Sequence, residues 1–121
     1  MGDLSRRSRG RWAEDLAAAH YRRLGFAVVD RNWRSPERLV RGELDVVVRR
    51  GSLVVVVEVK ARRSAGTASA ALAVDAAKQA RIRLLASSWL RCRWDGAFDP
   101  DLRFDVVAVD GVRLTRYERA F

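Results

Sequence analysis

The sequence is poor in the residue types that mark disulfide scaffolds and membrane anchors. It has one cysteine, Cys92, and one histidine, His20. A lone cysteine excludes an internal disulfide framework and fits a reducing compartment. The longest apolar runs, Leu53 to Val57 and Ala70 to Val74, are far short of the roughly 20 residues that a membrane span needs. Met1 to Ser5 lack the apolar segment of a signal peptide, so a cytoplasmic location without membrane contact is expected. Lysine is scarce too, with Lys60 and Lys78 the only two among 24 Lys+Arg residues. Acids number 15, which leaves a net charge of +9 and a pI near 11.2. Such a chain attracts polyanions through its long-range field, and nucleic acid is the expected partner. With 121 residues, 49% of them hydrophobic, there is enough for one core and too little for two. Residues 1–10 read as a basic, flexible arm and 11–121 as a single domain.

What is present is concentrated in two clusters, Gly42-Glu43-Leu44-Asp45 and Glu58-Val59-Lys60. They set three carboxylates and an amine into a valine-rich stretch. Leu53-Val54-Val55-Val56-Val57 runs into Glu58 without a break, the pattern of a central strand covered on both faces. A buried charge is strongly unfavourable unless it is paired, holds a metal or changes protonation, so such a strand usually carries a site. Strand alternation predicts that Glu58, Lys60 and Arg62 share a face with Val56, while Val55, Val57 and Val59 share the other. On the preceding strand, Glu43 to Val48, the alternation sets Glu43 and Asp45 on one face and Leu44, Val46 and Val48 opposite.

Arg49-Arg50-Gly51-Ser52 joins the two strands. A two-residue loop at Gly51-Ser52 suits a type II′ turn, and that register opposes Asp45 to Glu58 and Glu43 to Lys60, with Cβ atoms about 5 Å apart. A loop at Arg50-Gly51 opposes Glu43 to Glu58 instead; the acids share a face in both registers. Like charges opposed in this way repel and need something positive between them. Hard oxygen ligands on rigid strands beside an ammonium suit Mg²⁺ or Mn²⁺, as one or two ions. The competing reading is a salt-bridged sheet in which Lys60 and nearby arginines neutralise the acids, although buried ion pairs are poor stabilisers. Lysine at position 60 is a marked choice in a chain that otherwise writes positive charge as arginine. An ammonium can lose its proton when desolvated, and a guanidinium cannot.

The remaining elements follow coarsely. Arg11 to Leu24 reads as a helix stopped by Gly25, and Phe26 to Arg31 as a first strand. Arg34 to Arg41 is a loop, and 64–69 a small, polar and mobile stretch beside the active face. Asp75 caps a second helix with Lys78, Ile82, Leu85, Trp89 and Cys92 on one stripe. Leu102 to Val109 and Val112 to Tyr117 close the chain around a type I′ turn at Asp110-Gly111. Trp12, Trp89 and Trp94 read as core, His20 as a packed helix residue, and Asp105 as an arginine's partner.

Asp45, a spacer and Glu58-Val59-Lys60 resemble the signature of the PD-(D/E)xK nuclease superfamily, with Leu44 where the superfamily's name has proline. A wider set resembles the YraN family, small uncharacterised bacterial proteins assigned to that superfamily. It comprises Gly10, Glu14, Gly25-Phe26, Arg31-Asn32, Gly42 to Asp45, Val57 to Arg62, Val74 with Lys78, Arg103 to Val106, and Ala120-Phe121. The likeness runs from about Gly10 to the last residue. It implies a restriction-endonuclease-like α/β fold: a mixed β-sheet of about five strands flanked by helices in the order α-β-β-β-α-β-β. It implies Asp45 and Glu58 as metal ligands and Lys60 as the catalytic amine, with Glu43 as an outer ligand. Glu14 is a further candidate ligand, although an acid in a helix's first turn is stabilised by the macrodipole anyway. Gln79 is similar to a helix glutamine that steadies the site in some superfamily members.

Arginines cluster at Arg6 to Arg11, Arg31 to Arg41, Arg49-Arg50 and Arg62-Arg63. Arg62 and Arg63 follow Lys60 directly and are the expected nucleic-acid contacts, with Lys78 and Gln79. The expected chemistry is metal-dependent hydrolysis of phosphodiester bonds in nucleic acid, DNA ahead of RNA. Backbone contacts carry little sequence information, so selection by structure is expected over selection by sequence. A homodimer is one arrangement that would cut two strands together. The alternative is a nucleic-acid-binding module whose nuclease-like site is weak or inactive.

Overall fold

The valine run takes the middle of a sheet, and the rest of the chain supplies its two covers. The computed structural model describes residues 2–62 and 74–121, with side chains described for 8–61 and 74–121. Among the described residues two helices, α1 (Gly2–Arg23) and α2 (Ala76–Arg93), flank five strands: β1 (Ala27–Trp33), β2 (Leu44–Arg50), β3 (Leu53–Arg62), β4 (Asp101–Asp110) and β5 (Arg113–Tyr117). The sheet runs β1-β2-β3-β4-β5, antiparallel throughout except where β3 pairs β4 in parallel, from Leu53↔Asp101 to Arg62↔Asp110. A parallel neighbour requires a crossover, and α2 lies on that connection. The fold is therefore α/β with the predicted α-β-β-β-α-β-β order. No helix among the described residues is long and apolar enough to cross a membrane.

Both faces of β3 are covered, as an unbroken valine strand demands. On one, Ala13, Ala17 and Tyr21 of α1 pack over Val46, Val48, Val55, Val57, Val107 and Val109. On the other, Ile82, Leu85, Ala86 and Trp89 of α2 pack over Val47, Val54, Val56, Phe104 and Val106. Each fully buried valine or leucine contributes about 1.5–3 kcal/mol, so neither face could stay bare. Leu44 departs from its predicted face and joins the α2 side. It is the first residue of β2, where the chain has just left the left-handed bend at Gly42 and strand alternation has not yet set in.

Turn chemistry decides the register. Arg50 pairs with Leu53, so the β2–β3 loop is Gly51-Ser52, and only Gly51 has positive φ (61°), as a type II′ turn requires. The β4–β5 turn differs from expectation. Asp110 pairs with Arg113, which makes the loop Gly111-Val112. Type I′ needs left-handed backbone at both central residues, and only Gly111 (φ 63°) has it.

The helices differ from expectation at their ends. α1 begins at Gly2 and not at Arg11. Gly10 is the one weak point along it, and a single glycine costs a helix about 1 kcal/mol, too little to break one. Its C-terminus is a Schellman motif: Phe26 N–H donates to Tyr21 O and Gly25 N–H to Arg22 O, each at 3.0 Å, with Gly25 at φ 91°. The Phe26 ring packs edge-on against Tyr21. In α2, Asp75 caps the helix by accepting from Lys78 N–H at 2.8 Å. Cys92 is exposed, so the buried stripe ends at Trp89. Trp12 is half-exposed, its indole N–H donating to Gly111 O, and Trp94 is partly buried under the Arg49 guanidinium; of the three tryptophans expected in the core, only Trp89 is fully there. The predicted mobile stretch 64–69 and Arg63 lie outside the described residues.

Candidate functional site

The β2–β3 ladder is paired as far as Val46↔Val57, and Asp45 and Glu58 are the next two residues of that register. They lie on the face that α2 covers, with Val47 and Val56. Past Val57 the ladder gives way to a side chain: Val59 N–H donates to Asp45 Oδ2 at 2.8 Å. The preceding loop swings toward α2. At Gly42 (φ 95°) a Cβ would meet Leu85 Cδ1 at 3.4 Å and Arg81 Cδ at 3.5 Å, ordinary contact distances, so it is the backbone angle that calls for glycine. Where β2 peels from β3, a cleft of about 210 Å³ opens between Gly42, Glu43, Asp45, Glu58, Lys78 and Arg81, with Ile82 and Leu85 as its apolar wall.

The charges in this cleft reshape one another. Burial pushes the Asp45 carboxyl up to about 8, helped by the Glu58 charge and the hydrogen bond between the two carboxyls, against the pull of the Val59 N–H; the Glu14 charge adds to the rise. At neutral pH the pair therefore holds a proton. Glu58, 12% exposed, meets Lys78 Nζ at 3.5 Å. Burial also pulls the Lys60 ammonium down, as do its hydrogen bond to Lys78 and the Lys78 charge, against the nearby carboxylates. Burial alone would lower Lys78, but Lys60, Glu58 and Asp45 together raise it. An ammonium has no lone pair, so a Lys60–Lys78 hydrogen bond needs one amine neutral, and Lys60 is the one biased that way.

The other predicted residues fall around this centre or away from it. Glu43 lines the cleft but lies just outside β2 and pairs with Arg34 Nε at 3.2 Å, not with Lys60. Glu14 accepts from Asn32 Nδ2 at 3.2 Å and lies 3.7 Å from Arg31, near enough to act on Asp45 by charge alone. Gln79 turns to its own helix end, where its amide donates to Val74 O. Arg62 is the last residue of β3. Asp105, fully buried, accepts from Arg103, from Tyr21 Oη at 2.6 Å and from Arg119 N–H, a structural knot on the α1 face of the sheet, opposite the face that carries the cleft. Sequence reading missed Arg81. The signal was its i+3 spacing from Lys78, which stacks the two on one helix face.

The donor set suits a hard divalent cation. Two carboxylates that hold a proton between them are a pair awaiting positive charge, and Mg²⁺ takes one or two carboxylates and keeps its waters. Among the described residues, no group of three or more His, Cys, Asp or Glu side chains is arranged to hold a metal, so softer or fully protein-ligated ions are a poorer match.

Comparison with known proteins gives a consistent picture. The model of uncharacterised protein family UPF0102 matches residues 13–109. A UPF0102 protein of Rhodococcus jostii is 48% identical over 100 residues, which is 83% of this chain and 80% of that protein. One from Geobacter sulfurreducens is 42% identical over 113 residues, 89% and 84% of the two chains. One from Pseudomonas aeruginosa is 45% identical over 108 residues, 88% and 81%. The matched stretch takes in the whole acid and lysine cluster.

Proposed function

The chain belongs to the UPF0102 family, also called YraN, and from that premise we propose that it is a metal-dependent nuclease that hydrolyses phosphodiester bonds in nucleic acid, DNA ahead of RNA. The observation that carries this reading is the Asp45–Glu58 pair in an open cleft, with Lys78 on Glu58 and Lys60 hydrogen-bonded to Lys78. A salt-bridged sheet would close over its charges, and this one leaves a cavity.

Asp45 and Glu58 would hold Mg²⁺ or Mn²⁺, with Glu43 at the rim as an outer ligand. Glu14, committed to Asn32 and Arg31, acts through its field. Such an ion, when bound, polarises a phosphoryl oxygen and lowers the pKa of water. Lys60, whose proton is loosely held, orients the attacking water as an amine and, once protonated, offsets the negative charge that develops on the phosphate. Lys78 holds Glu58 in place, and Arg81 across the cleft takes a phosphate oxygen of the substrate. Gln79 supports the helix end that carries Lys78. Arg62 and Arg63, which follow Lys60 in sequence, extend the contact along the backbone.

Purified protein incubated with Mg²⁺ or Mn²⁺ and with single-stranded, duplex and branched DNA and with RNA tests this reading. Cleavage is expected, reduced at least about a hundred-fold by Lys60→Ala and by Asp45→Asn. Cleavage indifferent to both substitutions would overturn the assignment. One observation favours a second reading: Lys78 already neutralises Glu58 in part, as it would in a binding module with an idle site. Salt-sensitive binding without cleavage on any substrate would select that reading.

A further inference from the structure

A second and larger cavity, about 650 Å³, lies on the other flank of α2 and shares no lining residue with the acid cleft. Arg81 and Arg83 are two residues apart, so they stand on nearly opposite sides of the helix. Arg81 lines the acid cleft beside β2; Arg83 lines the second cavity beside β4. There Phe104 and Phe121 stack, with centroids 5.1 Å apart and planes at 23°, and the Arg83 guanidinium lies over them at 5.0 and 5.5 Å. Ala120 N–H donates to Phe104 O at 2.8 Å and fixes this tail on β4.

The charges here are unevenly committed. Arg103, at the floor, gives its donors to Asp105 and Glu118. Arg83 and Arg119 make no ion pair with any described carboxylate, yet both line the cavity. Arg119 holds a left-handed backbone (φ 53°), anchored by its N–H on Asp105 Oδ1 at 3.0 Å. Asp101 and the partly exposed Leu102 complete the lining.

We propose that this cavity is a nucleotide site. Two guanidiniums without a described carboxylate partner, one of them over the aromatic pair, call for a phosphate. The partly buried Phe121 ring, backed by the buried Phe104, and the exposed Leu102 call for a flat, partly apolar group, which a base supplies. Asp101 would repel a bare phosphate but accepts a hydrogen bond from a base N–H or a sugar hydroxyl. The volume falls within the range of small-molecule sites. The ligand chemistry is a nucleoside monophosphate, either free or as one unit of a strand that crosses α2. The proposal goes beyond the nuclease reading and does not require the acid cleft to cut.

The test is a titration of the full chain with adenosine monophosphate, with inorganic phosphate and with short single-stranded DNA, followed by amide NMR. The expected result is saturable binding of the nucleotide that shifts Leu102, Phe104 and Phe121 and is about ten-fold weaker in both Arg83→Gln and Arg119→Asn, with Lys60→Ala unchanged. Asparagine tolerates the left-handed backbone, so Arg119→Asn stays informative even if Arg83→Gln disturbs the ring stack. DNA that displaces the nucleotide assigns the cavity to the strand, and DNA that leaves it bound assigns it to free nucleotide. No binding at millimolar nucleotide, equal affinity for inorganic phosphate, or affinity unchanged in both arginine variants would overturn the proposal. None of these results depends on cleavage, so the nuclease reading stands or falls separately.

Discussion

Asp45 is the residue on which most of the chemistry turns. Its carboxyl is pushed up to about 8 by burial and by Glu58, whereas in the unfolded chain it titrates at roughly pH 4. Between those values the folded state keeps a proton that the unfolded state has lost, so stability falls as pH rises through the window. Below roughly pH 4 both states are protonated and the slope vanishes. Metal-free protein is therefore expected to melt at a lower temperature at pH 8 than at pH 5, and Asp45→Asn, which has no proton to lose, is expected to flatten that difference. An unchanged slope in thermal melts of the variant would mean that the carboxyls do not share a proton. At this scale the sequence was readable where strand parity applies, because alternation is rigid and a one-residue slip would have turned Asp45 and Glu58 to opposite faces of the sheet. Arg81 was readable only as a neighbour of Lys78 on one helix face, since which side of α2 looks over β2 depends on how the helix docks. The same holds for Trp12, which lies at the α1 surface although its residue type favours the core.

Among the elements, the bend before β2 shapes the cleft. Gly42 has a left-handed backbone beside α2, and any side chain there must strain that backbone while it comes into contact with Leu85 and Arg81. Gly42→Ala is expected to destabilise the protein by about 1–2 kcal/mol in urea unfolding and to weaken cation binding at Asp45 and Glu58. A variant with unchanged stability and binding would show that the loop relaxes freely. Element type was legible throughout because the periodicities are strong: valine runs for β3, a capped apolar stripe for α2. Element ends were less so. The α1 start was hidden because nothing between Gly2 and Arg11 stops a helix, and a basic run reads equally well as a free arm. The β4–β5 turn was misread by one residue, since Asp-Gly signals type I′ whereas a single glycine followed by Val112 allows only type II′.

At the scale of the molecule, α2 divides two basic recesses, one acidic at its floor and one aromatic, within a chain of net charge +9. That helix also belongs to the one parallel crossover of the sheet. β2–β3 and β4–β5 are hairpins closed by two-residue turns, whereas Leu53 must find Asp101 across the whole crossover. Near contacts form ahead of distant ones because chain closure costs entropy before any contact rewards it. The hairpins are thus expected to assemble early and the two halves to dock late. Gly51→Val, at the first turn, should slow refolding, while Lys78→Ala should chiefly speed unfolding; chevron plots with the opposite pattern would contradict this order. Whatever the acid pair does, it acquires its amine partner from α2 only at that final step. A half-folded copy is consequently expected to carry the Asp45–Glu58 hairpin without the Lys78 counter-charge that the finished molecule sets against it.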